Sequence, residues 1–266
     1  MANLDPAQDQ LATRLAGIRA RITAAAKNSG RGAEEVKLIA ISKTQPASVI
    51  KRVIELGAVD IGENRVQEAE EKISRIGREA ARWHLVGHLQ ANKARRAVNL
   101  FHVIHSIDSL DLARRLDRLC GEEGREKLAV LIQVDLGHEE TKSGIDESEL
   151  THLVDGLGPL SRLELVGLMT LPPFFDDPEQ SRPFFRRLRK LRDELATRGA
   201  FGGGKGELSM GMTNDFEVAI EEGATMVRVG TAIFGERGPT ISGVAYFMAQ
   251  TTAEGAELWR SDGTVS

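Results

Sequence analysis

The feature that most constrains the fold is a strand pattern followed by a helix pattern, repeated along the chain. Each strand pattern is a short run of branched apolar residues, and each helix pattern carries an apolar stripe of helical period. Repeated strand–helix units form a parallel sheet, and eight strands are the number that closes a (β/α)8 barrel. An open doubly wound sheet is the alternative. The predicted strands cover residues 38–43, 59–62, 83–86, 101–105, 128–134, 163–169, 207–210 and 225–229.

Two segments lie outside these repeats. Apolar residues recur with helical spacing over residues 7–29, which predicts an extra N-terminal helix. We predict a single domain over residues 1–266, with a barrel core from about residue 11 to residue 237. The C-terminal extension, 238–266, has no role that the sequence assigns. Within it, the apolar content of residues 245–250 predicts a last helix.

Composition excludes several classes of protein. A net charge of −4 leaves no basic excess for binding nucleic acid. The chain has no apolar stretch long enough to span a membrane and no signal-peptide pattern, so we expect a cytoplasmic protein without membrane partners. A single cysteine excludes an internal disulfide, and the six scattered histidines predict no metal site. No heptad seam is present, so we expect a monomer.

The first predicted strand ends in a lysine. Side chains alternate along a strand, so Ile39, Ile41 and Lys43 are expected on one face. A half-buried lysine has a lowered pKa, and its neutral amine forms Schiff bases with carbonyl compounds. The alternative is a lysine that simply extends into solvent at the end of a strand.

The loops after strands seven and eight have the features of a phosphate site. Their glycines allow backbone N–H groups to approach an anion, and Ser209 and Thr231 add hydroxyl groups. Helix N-termini follow both loops, and barrels often bind phosphate at this position. An Asn-x-x-Glu pair at 214–217 also fits a helix cap, so capping is the alternative use of part of this loop.

Arg228 is predicted to point into the same end of the barrel, because it shares strand parity with Met226 and Gly230. A fixed cation beside an aromatic nitrogen keeps that nitrogen unprotonated. The alternative is an arginine paired with a core carboxylate. An amine, a phosphate site and this cation together fit pyridoxal 5′-phosphate (PLP). A sugar-phosphate aldolase would also use the lysine and the phosphate site, so that alternative stays open.

Several motifs occur together in one order. They are Ala-Ile-Ser-Lys-Thr at 40–44, Gly-Glu-Asn-Arg-Val-Gln-Glu at 62–68, Trp-His-Leu-Val-Gly at 83–87, Leu-Gln-Ala-Asn-Lys at 89–93, Lys-Ser-Gly at 142–144, Gly-Leu-Met at 167–169, Leu-Ser-Met-Gly-Met-Thr at 208–213 and Met-Val-Arg-Val-Gly-Thr-Ala-Ile-Phe-Gly at 226–235. Through them the chain closely resembles the pyridoxal-phosphate homeostasis proteins, from about residue 11 to residue 237.

The resemblance implies a fold type III PLP barrel like the N-terminal domain of alanine racemase. It implies that Lys43 holds PLP as a Schiff base, that Arg228 faces the pyridine nitrogen and that Asn64 lies near the ring substituents. The implied phosphate ligands are Ser209, Gly230 and Thr231, with backbone donors near Met210 and Gly211. Two positions depart from the family pattern: Arg65 replaces a frequent tyrosine, and His88 replaces a usual proline.

The resemblance also implies a function in vitamin B6 homeostasis, with PLP-dependent apoenzymes as candidate recipients and no robust reaction. A low-activity amino-acid racemase is the enzyme alternative. Racemisation needs acid–base groups on both faces of the cofactor, and alanine racemases supply a tyrosine from a second domain. The one tyrosine here, Tyr246, lies in the extension. A structural scaffold whose lysine binds nothing is the third reading.

Overall fold

Eight parallel strands close into a barrel, because β1 hydrogen-bonds to both β2 and β8. The computed structural model describes residues 6–138, 143–235, 245–251 and 255–261. The barrel strands are β1 Lys37–Ile41, β2 Asp60–Glu63, β3 Arg82–Leu85, β4 Val103–Ile107, β5 Leu128–Gln133, β6 Leu163–Met169, β7 Glu207–Met212 and β8 Met226–Val229. The predicted (β/α)8 barrel is therefore confirmed.

Helices surround the barrel and bury their apolar stripes against its strands. They are α1 Pro6–Asn28, α2 Ala47–Glu55, α3 Val66–Ile76, α4 Ala94–Leu100, α5 Leu110–Glu122, α6 Leu150–Leu157, α7 Arg182–Thr197, α8 Phe216–Glu221 and α9 Thr231–Phe234. The predicted N-terminal helix is confirmed as α1, which packs against α8 and α9. None of the helices in the described ranges is long and apolar enough to cross a membrane.

The barrel interior is partly polar. Two small apolar clusters lie inside it, one built around Ile39, Val86 and Met226 and the other from Val103, Leu131 and Met169. The main apolar core lies outside, between the strands and the helices. The interior also buries the polar side chains of His84, His105, Ser209 and Arg228. Because buried polar groups need hydrogen-bond partners, these residues must contact one another or the backbone.

Strand β7 is longer than predicted and contains an irregularity. Ser209 pairs with Met226, whereas Met212 pairs with Arg228, so β7 carries one more residue than β8 between the two pairs. Gly211 lies in this segment with a φ of 89°. A Cβ at this position would stand 2.5 Å from the Cβ atom of Ala219 in α8. Only glycine therefore combines this backbone conformation with the close packing of α8.

Contacts divide the chain into two compact units, Met1–Phe234 and Gly235–Ser266. In the second unit, β9 Ala245–Thr251 pairs antiparallel with β10 Gly255–Ser261. The helix predicted over residues 245–250 is therefore wrong. A strand is stabilised by the segment that pairs with it, and composition within one short run does not reveal that partner.

Candidate ligand-binding site

A cavity of about 290 Å³ opens at the carboxyl ends of the barrel strands. Its volume is close to the lower end of the range of roughly 300–1,000 Å³ that small-molecule sites occupy. It lies on the face where barrel enzymes and binding proteins carry their sites. The lining residues are Ile41, Lys43, Asn64, Val86, Leu171, Pro173, Phe174, Phe175, Met212, Thr213, Asn214, Asp215, Arg228, Gly230 and Thr231.

A larger cavity of about 770 Å³ lies at the opposite face of the barrel. Its lining includes Glu164 and Glu207, which stand at the amino ends of β6 and β7. In barrels this face contributes to stability, whereas chemistry is performed at the carboxyl ends of the strands. The smaller cavity is therefore the candidate site.

Lys43 lines the candidate site with an exposed side chain. The strand ends at Ile41 and Thr44 has a positive φ of 64°, but Lys43 lines the same cavity as Ile41, as strand alternation predicts. Its exposed side chain fits the alternative of a lysine that extends into solvent. Within the described part of the chain, Lys43 Nζ has no hydrogen-bond or ion-pair partner. The cavity thus presents an unpaired primary amine.

The loop that carries this lysine is held from β2 and α3. Lys72 Nζ donates to the backbone oxygen of Ser42 at 2.7 Å and to Glu63 Oε1 at 2.7 Å. The Ser42 hydroxyl also donates to Glu63, and the Thr44 N–H donates to Glu68 Oε2 at 3.2 Å. Burial raises the pKa of Glu63, although Lys72 and Ser42 oppose that shift. Both neighbours of the cavity lysine are therefore fixed in place.

Arg228 lies inside the barrel, 3% exposed, and reaches the cavity from below. Its Nη1 donates to Ser209 Oγ at 2.6 Å and its Nη2 to the backbone oxygen of Thr170 at 2.8 Å. Burial lowers the pKa of Arg228 to about 10, with Asp215 opposing the shift, so the side chain is cationic at neutral pH. The prediction that Arg228 points into this end of the barrel is confirmed.

The segments after β7 and β8 contribute different residues than the sequence indicates. Gly230 and Thr231 line the cavity, as predicted, and so does Thr213. Ser209 lies beneath the cavity, where its hydroxyl binds Arg228 and His105.

Two further residues, Met210 and Gly211, are expected to offer backbone donors to a phosphate. The side chain of Met210 is buried in the outer core, and Gly211 packs against α8. Only the backbone of this segment is then left for an anion. Thr213 was missed, although a hydroxyl two residues beyond a glycine in the same loop is a usable signal.

Asn64 follows β2 and has an unsatisfied oxygen. Its Oδ1 is buried without a hydrogen-bond partner among the described residues, and the side chain lines the cavity. A buried acceptor without a donor is unfavourable by about 1–3 kcal/mol, so a ligand hydroxyl at this point would be stabilising. The neighbouring Arg65 is exposed and does not line the cavity.

One wall of the cavity is apolar. Phe174 is 74% exposed, and Phe175 beside it forms part of the same wall. The Asn214 amide donates to the backbone oxygen of Phe175 at 2.9 Å, which joins this wall to the loop after β7.

At the edge of the barrel, His88 Nδ1 lies 3.1 Å from Asp108 Oδ2 and connects the loops after β3 and β4. No cluster suited to a metal ion occurs in the described ranges.

Together, a closed barrel, an exposed lysine amine at the end of β1 and a buried arginine on β8 define the alanine racemase N-terminal type of barrel. Residues 13–238 match the family described as alanine racemase, N-terminal domain. The chain is 42% identical over 224 residues to the pyridoxal phosphate homeostasis protein of Aquifex aeolicus, covering 84% of this chain and 97% of that protein. This chain belongs to the pyridoxal phosphate homeostasis protein family.

Solved structures agree with this assignment. PipY of Synechococcus elongatus, in a structure with PLP bound, superposes with a TM-score of 0.74 at 37% identity, covering 85% of this chain and 100% of PipY. An alanine racemase of Clostridium difficile superposes with a TM-score of 0.65 at 17% identity, over 87% of this chain. That match covers only 60% of the racemase chain, so the likeness concerns the barrel fold alone.

Proposed function

We propose that this chain binds PLP in the cavity at the carboxyl end of the barrel and serves the homeostasis of that cofactor without a dedicated reaction. The observation that carries the proposal is the meeting of an unpaired lysine amine and a buried guanidinium in one cavity. The names of the relatives and the PLP in the PipY structure support it.

The residues of the cavity fit this cofactor. Bound PLP supplies an aldehyde that condenses with a lysine amine to form a Schiff base. Lys43 provides the amine, and Arg228 provides a cation that opposes protonation of the ring nitrogen. Asn64 Oδ1 is a free acceptor for a ring hydroxyl. The first-turn N–H groups at Thr231, together with the Thr213 and Thr231 hydroxyls, are donors for the phosphate.

The same residues support binding and release rather than turnover. Among the described residues that line the cavity, the charged ones are Lys43, Asp215 and Arg228. Racemisation requires a second acid–base group on the opposite face of the cofactor, and Asp215 already accepts the Met212 N–H at 2.7 Å. Lys43 is exposed, so an incoming amine can reach the attachment point. We therefore propose PLP-dependent apoenzymes as the recipients of the cofactor.

We also propose that the protein acts as a monomer. The large apolar side chains exposed in the described ranges are Val59 and Phe174, and Val59 precedes β2 whereas Phe174 lines the cavity. Two separate side chains do not form the continuous apolar patch that a stable dimer requires. Light scattering at micromolar concentration is expected to give the mass of one chain, and a dimer mass would reject this part of the proposal.

The test of PLP binding is a visible absorbance spectrum of the purified protein with PLP, before and after borohydride reduction, followed by peptide mapping. We expect a yellow protein whose colour is bleached by reduction, with the label on Lys43. Lys43→Ala is expected to fold and to lose the label. Lys37→Ala is the matched control, because Lys37 pairs with Glu207 at the other end of the barrel and its loss should leave labelling unchanged.

A label that persists in Lys43→Ala would assign attachment to another lysine. A wild-type protein that PLP cannot turn yellow would reject the proposed function.

A further inference from the structure

A continuous chain of hydrogen bonds runs through the barrel interior from Arg228 to Asp60. Arg228 Nη1 lies 2.6 Å from Ser209 Oγ, which lies 3.0 Å from His105 Nδ1. His105 Nε2 lies 2.9 Å from His84 Nδ1, and His84 Nε2 lies 2.8 Å from Asp60 Oδ1. The five side chains come from β8, β7, β4, β3 and β2, and none of the five residues is more than 8% exposed. We call this set the interior chain.

When both imidazoles are neutral, the two ends of the interior chain fix the direction of every hydrogen bond in it. A guanidinium only donates and a carboxylate only accepts, whereas a serine hydroxyl and a neutral imidazole each have one hydrogen to give. Arg228 therefore donates to Ser209, Ser209 to His105, His105 to His84, and His84 to Asp60. In this arrangement both imidazoles are neutral and carry their hydrogen on Nε2.

A second proton on either imidazole would require the neighbouring hydrogen bonds of this sequence to reverse. On His84 the added N–H would face the N–H of His105, and on His105 it would face the Ser209 hydroxyl hydrogen. Burial lowers the pKa of both imidazoles, that of His105 well below its ordinary value. Hydrogen-bond geometry and burial thus favour the same neutral state.

The interior chain determines what Arg228 can contact. Within the described residues its guanidinium has no carboxylate in hydrogen-bond contact, and its partners are Ser209 Oγ and the Thr170 backbone oxygen. A serine hydroxyl left to itself rotates. Here its hydrogen is directed to His105, so a lone pair faces Arg228. Ser209 therefore acts as an oriented acceptor beneath the cavity.

We infer that Ser209, His105, His84 and Asp60 are positioning residues that fix the Arg228 guanidinium at the ligand cavity. Asp60 lies at the amino end of β2, so a carboxylate at one end of the barrel orients a cation at the other. The interior chain itself is independent of the ligand, whereas its effect on cofactor binding rests on the proposed function. The alternative is a set of polar residues that only fills the barrel.

The first test uses the full chain without cofactor. NMR spectra of protein labelled with 15N in its histidines report which ring nitrogen carries the hydrogen. We expect His84 and His105 to be neutral with the hydrogen on Nε2 at pH 7 and to remain so at pH 5. Either imidazole found cationic at pH 7, or with its hydrogen on Nδ1, would overturn the inference. This result does not depend on whether PLP binds.

The second test measures PLP affinity by absorbance titration of Ser209→Ala, Asp60→Asn and the double variant. Loss of a hydrogen bond to a charged group predicts roughly tenfold weaker binding for Ser209→Ala. Asp60→Asn keeps an acceptor for His84 but loses the charge, so we expect it to fold and to bind about threefold more weakly. In the double variant the interior chain is already cut, so binding should be no weaker than in Ser209→Ala.

The matched control is His102→Asn. His102 is a partly buried histidine directly before β4, where its Nδ1 accepts the Trp83 N–H at 3.0 Å, but it lies outside the interior chain. This variant should bind PLP as the wild type does. Independent losses that multiply in the double variant, or an Asp60→Asn variant with wild-type affinity, would reject the positioning role. A wild type that does not bind PLP rejects the proposed function, and the NMR result then decides the interior chain alone.

Discussion

At the scale of single residues, Lys72 supports the site although it does not line the cavity. Its side chain is 9% exposed, and it neutralises the fully buried Glu63 while holding the backbone of Ser42. Removing one partner of a buried ion pair is destabilising by about 3–5 kcal/mol, because the remaining charge stays buried. The position also falls on the apolar stripe of α3, beside Ala69 and Ile73, which marks it as unusual in the sequence.

Lys72→Met is therefore expected to lower the free energy of unfolding by about 3 kcal/mol in urea titrations at pH 7. Protonation of Glu63, whose pKa burial already raises, limits the loss. Lys51→Met on α2 is the control, because Lys51 is exposed and its loss should change stability by less than about 0.5 kcal/mol. Equal effects of the two substitutions would show that the buried pair contributes nothing to stability.

His102 makes the free energy of unfolding depend on pH, and its burial determines the sign of that dependence. Burial, with Arg78 second, lowers the pKa of His102 to about 4, whereas an imidazole in the unfolded chain titrates near 6.5. Between these values the unfolded state holds more protons, so stability falls as the pH falls through the window from about 6.5 to 4. The expected slope from this partly exposed group is roughly 1 kcal/mol per pH unit.

His102→Asn tests this dependence, since the amide oxygen can still accept the Trp83 N–H. Urea unfolding at pH 7 and at pH 5 should show that the wild type loses about 1–2 kcal/mol more than the variant over that interval. Parallel losses in the two proteins would mean that His102 titrates alike in the folded and unfolded states.

At the scale of elements, the junction of β7 and α8 depends on the glycine at position 211. Gly211→Ala would introduce a side chain at a φ of 89° and place its Cβ 2.5 Å from the Cβ atom of Ala219. A left-handed conformation costs about 1–2 kcal/mol in a residue with a side chain, and overpacking adds about 1–3 kcal/mol. We expect a total loss near 3 kcal/mol in the free energy of unfolding.

Gly203→Ala separates the cost of the left-handed backbone conformation from the cost of overpacking. Gly203 has nearly the same φ, 90°, but no atom within 4 Å of an added Cβ. Its substitution should therefore show the conformational term alone, about 1–2 kcal/mol. If both alanine variants lose the same stability, the close approach of α8 is not the reason for the glycine.

The regular elements are the part of the structure that the sequence predicts best. Strand–helix alternation predicts the barrel because each buried strand and each amphipathic helix has its own local period. The same alternation places Arg228 correctly, since it lies well inside β8. Lys43 stands beyond the last residue of β1, yet it lines the same cavity as Ile41, as the alternation predicts.

Ser209, in contrast, does not line the cavity. An extra residue in β7 changes which hydroxyl reaches the cavity, and a register irregularity depends on the neighbouring strand rather than on the loop sequence. The pairing of Lys72 with Glu63 and the apolar wall at Phe174 and Phe175 depend on contacts between separate loops. Local sequence patterns do not predict contacts between distant segments, so these parts of the site could be identified only from the folded structure.

At the scale of the whole molecule, the described residues that line the cavity run from Ile41 to Thr231. The barrel closes at β8, within the first compact unit. The Aquifex aeolicus relative is matched over 97% of its own length by 84% of this chain. We therefore expect the barrel unit to be sufficient for the binding function that we propose.

A chain that ends after residue 238, where the family match ends, is expected to fold and to bind PLP within about twofold of the full-length affinity. Absorbance titration and thermal unfolding measure both properties. A chain that ends after Thr225 is the control, because it lacks β8 and leaves β1 and β7 with unpaired edges, so it should aggregate. If the chain that ends after residue 238 binds PLP tenfold more weakly than the full-length chain, the last 28 residues act on the site directly, since closure of the barrel does not need them.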